Sequence, residues 1–310
     1  MELFISNILK NIYEIETAEV KNVPGGWSAS AYYIRAKRGE FFLKIFDKNR
    51  YTAQSWIKRI DFYIPVVMWL SENTPLRDEL VAPVFTKEGL YKFENENHIF
   101  ILYPYIDGTV PADKKLTIAQ QISLAQTVAR LHLHGQGMPP EMILETEDFS
   151  VEFCGDISDI IKNGEFENIP SQYKANLLYS FEKLRGLSEE LGCSNLNFVL
   201  CHTDIHGWNL IQSERLFLLD WEGIKKAPAE ADLFSFTDGF FFDYAYDIIL
   251  REYCKIHPDY ALNPKVMEFY RLRRRLEDIT EFAKSILYDK LSEEEKRKPF
   301  AHLMRECSFL

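Results

Sequence analysis

The chain has 310 residues, of which 46% are hydrophobic and 27% charged, and it carries a formal net charge of −11. This length suits one large or two modest domains with a substantial core. The negative charge argues against nucleic acid or an anionic membrane as the main partner and is compatible with a cationic substrate. No stretch approaches the roughly 18 unbroken apolar residues that a membrane span needs.

The N-terminus, MELFISNILKNIYEIETAEV, has neither a basic leader nor a small-residue cleavage site. We therefore expect no signal peptide and a cytoplasmic protein. The five cysteines are scattered, with no CxxC pair and no Cys/His cluster. They predict neither a disulfide framework nor a zinc site, and we expect most of them to be reduced core residues.

The first hundred residues predict short strands and one helix. The runs AYYIRAK and EFFLKIF, joined by Arg38 and Gly39, favour a β-hairpin, and LVAPVF, LYKF and HIFILYPYI favour further strands. Ahead of the hairpin, VPGGWSASA indicates a turn rich in small residues. The segment 51–73 has apolar residues at helical spacing, with Pro65 predicted to kink or break the helix.

The rest of the chain predicts helices on either side of a short polar motif at residues 199–211. In LTIAQQISLAQTVARLHLHG, Thr117 and Gln120 have the spacing of a capping box, and Gly135 ends the predicted helix. Several helices are expected over 150–192, and an aromatic-rich helical pattern follows Glu230. The order predicts two lobes, a β-rich lobe over 1–104 and a larger helical lobe over 105–310.

The segment VLCHTDIHGWNLI, residues 199–211, places polar groups between two apolar runs. Phosphoryl transfer needs a residue that orients the attacking hydroxyl and a site for Mg²⁺ on the β- and γ-phosphates, and kinases use an Asp followed five positions later by an Asn. Asp204 and Asn209 have this spacing. Asp220, in LFLLDW, follows Asn209 by a hairpin's length and supplies a second metal ligand.

These motifs resemble those of the aminoglycoside phosphotransferases and their choline-kinase-like relatives. The family patterns H-G-D-x-H-x-x-N, I-D-[WF]-E and P-x-E-x-D-L are similar to HTDIHGWN, LLDWE and PAEADL, except that Thr203 replaces the usual Gly. FYRLRRRLEDI, residues 269–279, further resembles the spectinomycin phosphotransferases. The resemblance implies an α+β fold, the bilobal protein-kinase-like fold.

The resemblance also implies roles for individual residues. Asp204 resembles the catalytic Asp, and Asn209 and Asp220 resemble the Mg²⁺ ligands, since Mg²⁺ takes oxygen ligands. Lys44, in FFLKIF, resembles the strand lysine that pairs with the α- and β-phosphates of ATP or GTP.

Three further nucleotide contacts are implied. Gly25, Gly26 and Ser28, in PGGWSAS, resemble the loop whose backbone N–H groups approach the phosphates. Tyr103 to Tyr105 resemble the hinge between the lobes, whose backbone binds adenine. The family's helix carries a Glu that pairs with the lysine, but this helix has no Glu before Glu72. Asp61 is the predicted substitute.

A cationic acceptor needs carboxylates, because an ammonium group leaves water at high cost unless it is paired. FTDGFFFDYAYD offers Asp243, and RRLEDITEF offers Glu277 and Asp278. We therefore predict that these three residues bind the acceptor. The alternative is that the acids only form ion pairs with residues 273–275.

Together these features predict a small-molecule O-phosphotransferase that uses ATP or GTP and Mg²⁺ and acts on an aminoglycoside or aminocyclitol. One alternative is a metabolic kinase of choline, ethanolamine, homoserine or a sugar, so the role lies either in antibiotic resistance or in metabolism. A second alternative is a non-catalytic kinase-like binding protein, against which the intact Lys44, Asp204, Asn209 and Asp220 count. The acceptor and the oligomeric state stay open.

Overall fold

A computed structural model describes residues 1–23, 29–112, 114–142, 144–155, 161, 166–167, 169–237 and 246–310. An antiparallel sheet forms the N-terminal region, and a mainly helical region follows it. The predicted α+β fold is confirmed. The division at residues 104 and 105 stays a prediction.

The N-terminal sheet has the strand order β1-β2-β3-β5-β4, and all its pairs are antiparallel. Its strands are β1 (Thr17–Val23), β2 (Ser30–Ala36), β3 (Gly39–Asp47), β4 (Phe93–Glu94) and β5 (His98–Pro104). The predicted hairpin of β2 and β3 is present, and Gly39 follows its turn with a φ of 133°.

Helices cover both faces of this sheet. Helix α1 (Glu2–Tyr13) buries Ile5 and Leu9 against one face, together with Leu43 of β3. Helix α3 (Ile60–Asn73) belongs to the core on the other face, together with Phe46. Because side chains alternate along a strand, Lys44 shares the face of Phe46 and lies towards α3 and the helical region.

The predictions for this region missed one helix and were wrong in detail for three segments. Helix α1 was not predicted. The segment 51–73 forms two helices, α2 (Ala53–Ile57) and α3, and the break precedes Pro65, which lies inside α3. LVAPVF forms no strand: Val84 N–H donates to Leu102 O at 2.7 Å, but Pro83 has no N–H to extend a ladder. Of LYKF, only Phe93 is in a strand.

The C-terminal region is built around α4 (Ile118–His134), which begins at the predicted capping box of Thr117 and Gln120. The other helices described here are α5 (Ser171–Gly192), α6 (Glu230–Leu233), α7 (Tyr246–Cys254), α8 (Pro264–Tyr288) and α9 (Arg297–Cys307). Two antiparallel strand pairs flank the predicted catalytic segment: β6 (Val199–Cys201) pairs with β9 (Lys225–Ala227), and β7 (Leu210–Gln212) pairs with β8 (Leu216–Leu218). Among the described helices, none combines the length and apolar character needed to cross a membrane.

Candidate active site

The segment between β6 and β7 is fixed by a buried histidine. His202 Nε2 donates to Leu219 O at 2.9 Å, and its Nδ1 accepts from the backbone N–H of Asp204 at 3.2 Å. Asn209 O in turn accepts from Leu219 N–H at 2.8 Å. These bonds tie the Asp204 segment to the end of β8, so that Asp204, Asn209 and Asp220 come together in space.

A second anchor comes from α6. The buried carboxylate of Asp232 accepts from the backbone N–H groups of His202 and Thr203, at 2.9 and 2.6 Å. His132 Nε2 lies 3.0 Å from the same carboxylate. Because rigid positioning of catalytic groups depends on such supporting bonds, Asp232 holds the backbone immediately before Asp204 in place.

Thr203 stands where the resembling families carry glycine, and its backbone conformation is one that favours glycine. Its φ is 70°, a left-handed conformation that is unfavourable for a β-branched residue. The strain is partly offset because Thr203 Oγ1 donates to Gly223 O at 2.8 Å. A Cβ on Gly223 would lie 2.5 Å from that hydroxyl oxygen, so the close approach of these two segments requires glycine.

Asp204 accepts hydrogen bonds on both carboxylate oxygens. Asn209 Nδ2 donates to Oδ2 at 2.9 Å, while Oδ1 is bound by Arg274 of α8 and lies 3.3 Å from His206 Nε2. Burial opposes ionisation of Asp204, but Arg274 and His206 outweigh it and hold the pKa well below its usual range. Asp204 is therefore an ionised carboxylate at neutral pH, which can accept a hydrogen bond from a hydroxyl and orient it.

Lys44 meets two carboxylates from the end of β8. Its Nζ donates to Asp220 Oδ1 at 2.6 Å and to Glu222 Oε1 at 2.8 Å. Burial opposes the charged lysine, but the two acids keep its pKa above the ordinary value. Burial and the adjacent Asp220 raise the pKa of Glu222 to about 7.

The predicted pairing of Asp61 with Lys44 was wrong. Asp61 Oδ1 accepts from Tyr91 OH at 2.9 Å, and Lys92 Nζ lies 2.6 Å from the same oxygen. Asp61 lies in the first turn of α3, and its side chain is 59% exposed. The residue that α3 buries near Lys44 is Tyr63, whose hydroxyl lies 3.4 Å from Tyr103 OH.

The oxygen ligands present here fit the Mg²⁺ that the fold implies. The Asp220 and Glu222 carboxylates converge on one cationic group, the Lys44 ammonium, so carboxylate oxygens are concentrated at this point. Asn209 commits its amide nitrogen to Asp204, which leaves its amide oxygen as the ligand atom. Hard oxygen donors of this kind are the ligands that Mg²⁺ prefers.

The predicted hinge lies at the end of β5. The Tyr103 side chain is close to Lys44 and Glu222, and burial raises the pKa of its hydroxyl to about 12. Tyr105 N–H donates to Glu40 O at 3.0 Å, and the Tyr105 ring packs edge-on against Tyr33. With this N–H already bonded, contacts from the hinge to adenine stay a prediction.

Two of the predicted acceptor residues lie on α8 in ion pairs. Glu277 accepts from Arg273 Nε at 2.7 Å, and Asp278 accepts from Arg274 Nε at 3.1 Å. Asp278 is linked to Asp204 because Arg274 binds both carboxylates, whereas Glu277 binds Arg273. Burial and nearby acids raise the pKa of Asp278 to about 6. Asp243, Gly25, Gly26 and Ser28 lie outside the described residues.

Two contacts of the site were not predicted. Glu222 as a partner of Lys44 has a signal in the sequence, since Asp220 and Glu222 are two residues apart after a strand. Arg274 on Asp204 joins residues 70 positions apart, and only its i,i+4 spacing with Asp278 is visible in the sequence.

Known proteins resemble this chain in sequence and in fold. Residues 19–262 match the model of the phosphotransferase enzyme family. A spectinomycin phosphotransferase solved with ADP and spectinomycin has a TM-score of 0.75 and 19% identity, covering 100% of this chain and 98% of that one.

Two other solved structures are also similar. A microcompartment-associated aminopropanol kinase has a TM-score of 0.68 and 15% identity, with coverage of 99% and 95%. The GDP complex of an aminoglycoside 2′-phosphotransferase has a TM-score of 0.66 and 11% identity, with 99% of each chain covered. No curated protein sequence gave a significant match.

Proposed function

Because the chain belongs to the phosphotransferase enzyme family, we propose that it transfers the γ-phosphate of ATP or GTP to a hydroxyl of a small cationic acceptor. An aminoglycoside or aminocyclitol is the leading acceptor class. The observation that carries the proposal is the position of Asp204, an ionised carboxylate held beside Asn209 and joined through His202 to the strand end that presents Asp220 to Lys44.

The reaction follows from the roles of these side chains. Lys44 binds phosphate oxygens, and Asn209 and Asp220 would hold Mg²⁺, which neutralises charge on the β- and γ-phosphates when bound. Asp204 orients the acceptor hydroxyl. The hydroxyl oxygen bonds to the γ-phosphorus while the bond from that phosphorus to the bridging oxygen breaks, and the hydroxyl proton passes to Asp204.

Support for the acceptor class comes from two sources. The spectinomycin phosphotransferase and the aminopropanol kinase both align over nearly the whole of this chain, and spectinomycin and aminopropanol both carry an amine and a hydroxyl. The second candidate function is therefore the phosphorylation of a small amino alcohol. The choice between ATP and GTP is open, since similar structures hold ADP or GDP.

The test is a turnover screen with Mg²⁺, ATP or GTP, and spectinomycin, gentamicin, kanamycin or 1-amino-2-propanol. We expect one acceptor to stimulate nucleotide consumption and to yield a phosphate ester by mass spectrometry. Asp204→Asn should lower kcat by about 10²- to 10⁴-fold with little change in nucleotide affinity. Asp259→Asn, at an exposed position, is the matched control. No turnover with any acceptor would favour a non-catalytic binding protein.

A further inference from the structure

Arg274 occupies the oxygen of Asp204 that an acceptor hydroxyl could use. One guanidinium, on α8, binds Asp204 Oδ1 through Nη1 and Asp278 Oδ2 through Nε. The side chains of Asp204, Arg274 and Asp278 are each about a quarter exposed, at 26%, 22% and 27%. The group is therefore open enough to meet a small molecule and buried enough for its charges to interact strongly.

The other oxygen of Asp204 is also bonded. Oδ2 accepts from Asn209 Nδ2, an amide that belongs to the predicted metal site. Oδ1 faces two groups, Arg274 and His206 Nε2 at 3.3 Å, so a hydroxyl that binds Oδ1 must displace one of them. Displacing the guanidinium leaves two carboxylates, on Asp204 and Asp278, without their shared counter-charge, which is costly for partly buried groups.

This cost distinguishes acceptors by charge. Water or a neutral polyol brings a hydroxyl but no positive charge to replace the guanidinium. An acceptor with an ammonium group beside its reacting hydroxyl brings both. The hydroxyl can then bind Asp204 while the ammonium binds the carboxylate oxygens that Arg274 has left.

We propose that Arg274 is a specificity-determining residue, which blocks Asp204 in the empty site and yields it to acceptors that carry a cationic group next to the reacting hydroxyl. The inference rests on the proposed function. It adds that transfer to water is suppressed by the same contact, since water cannot replace the guanidinium.

The test compares two acceptors with the same carbon skeleton, 1-amino-2-propanol and 1,2-propanediol, and also measures ATP hydrolysis without acceptor. Spectinomycin serves as a larger cationic acceptor. In the assay without acceptor, we expect Arg274→Met to raise the rate of ATP hydrolysis by about tenfold, since Asp204 becomes available to water. The ratio of kcat/KM for the amine to that for the diol should fall by a similar factor. Arg274→Lys keeps the charge and should lie nearer the wild type.

The matched control is Arg275→Met. This residue lies on the same helix and loses an ion pair of 3.1 Å with Glu306, away from Asp204. It should leave both the hydrolysis rate and the amine-to-diol ratio unchanged. Thermal unfolding of each variant and the nucleotide KM show whether the fold and the nucleotide site are intact.

Unchanged or lower hydrolysis in folded Arg274→Met, or an equal loss with both acceptors, would overturn the inference and make Arg274 a residue that only supports Asp204. Failure of the proposed function has a different signature. The wild-type protein would then consume no nucleotide with any acceptor or with water, and the inference would fall with it.

Discussion

At the scale of single residues, the lysine of β3 forms an ion pair with a carboxylate of the C-terminal region. Lys44 binds Glu222, which is 4% exposed, while α3 presents the neutral Tyr63 near the same place. If Mg²⁺ takes Asp220, Glu222 is the partner that still holds the lysine. The carboxylate that the resemblance predicts on a helix is thus found two residues after Asp220, the predicted metal ligand.

The first prediction separates Lys44 from Asp61. Lys44→Met should raise the nucleotide KM by about tenfold or more, since hydrogen bonds to charged groups contribute about 1.5–3 kcal/mol. Asp61→Asn should keep the nucleotide KM of the wild type, because its partners are Tyr91 and Lys92. Steady-state kinetics at fixed acceptor concentration would measure both. A comparable rise in KM for the two variants would contradict this assignment.

Which residues could be predicted depends on how far apart they lie in the chain. Asp204, Asn209 and Asp220 fall within 17 residues, and strand-turn-strand patterns bring such segments together without knowledge of the fold. The contact of Arg274 with Asp204 depends on where α8 packs, which no local pattern gives. Asp61 was misassigned because helical spacing alone does not decide which side of α3 faces Lys44.

At the scale of elements, α8 is tied to the rest of the C-terminal region by a buried acid. Glu147 accepts from Lys225 Nζ at 2.6 Å, from Arg273 Nη1 at 2.8 Å and from Tyr270 OH at 3.2 Å. Its side chain is 1% exposed. Because Arg273 and Arg274 are adjacent on α8, this anchor also fixes the position from which Arg274 reaches Asp204.

The second prediction concerns the pH dependence of this anchor. Burial opposes ionisation of Glu147, but Arg273 and Lys225 lower its pKa to about 2 from an ordinary 4.5. A depressed carboxylate pKa stabilises the fold fully above the ordinary value and progressively less as the pH falls through the folded one. Glu147→Gln should therefore lower the free energy of unfolding at pH 7 by on the order of 3 kcal/mol.

Urea denaturation at pH 7, 5, 4 and 3 tests this. The difference between wild type and Glu147→Gln should shrink as the pH falls from about 4.5 towards 2. Glu152→Gln, at an exposed position in the same segment, should unfold like the wild type at every pH. A difference that does not change with pH would mean that the ion pairs of Glu147 contribute nothing through its charge.

Elements were predictable where their ends carry a local signal. Helix α4 begins at Thr117 because the capping box satisfies the N–H groups of its first turn. The break between α2 and α3 falls at residues 58 and 59, where no glycine or proline indicates the end of a helix. Helix α1 has no side-chain cap to mark its start. Its spaced apolar residues are buried because they pack against the face of the sheet, which the sequence pattern alone does not show.

At the scale of the whole molecule, the N- and C-terminal regions are joined by more than the chain that connects them. Asp289, at the end of α8, accepts from Thr52 Oγ1 and Ser285 Oγ, both at 2.9 Å, and from Arg50 Nε at 3.3 Å. A second ion pair, of 2.8 Å, links Arg59 to Glu145. These contacts hold the segment after β3 against the helical region.

The third prediction tests this connection. Asp289→Ala should lower the free energy of unfolding by about 2–3 kcal/mol, since it leaves buried donors without their acceptor. Calorimetry should also show a broader unfolding transition, because the N-terminal region loses its contacts with Asp289 of the helical region. Glu145→Ala, which removes a 47% exposed acid, should cost at most about 1 kcal/mol. Equal effects of the two variants would contradict the difference in burial.

Helix α8 connects two distant points of the molecule, the contacts of Asp289 and the contact of Arg274 with Asp204. Asp289 and Arg274 are 15 residues apart, about 22 Å along a helix that carries no described break. A rigid helix cannot absorb a tilt at one end. Because Glu147 holds Arg273, the neighbour of Arg274, the other end of α8 is fixed to the C-terminal region. Helix α8 is therefore a brace: the contacts of Asp289 with Arg50 and Thr52 and the contact of Arg274 with Asp204 lie at the two ends of one stiff element.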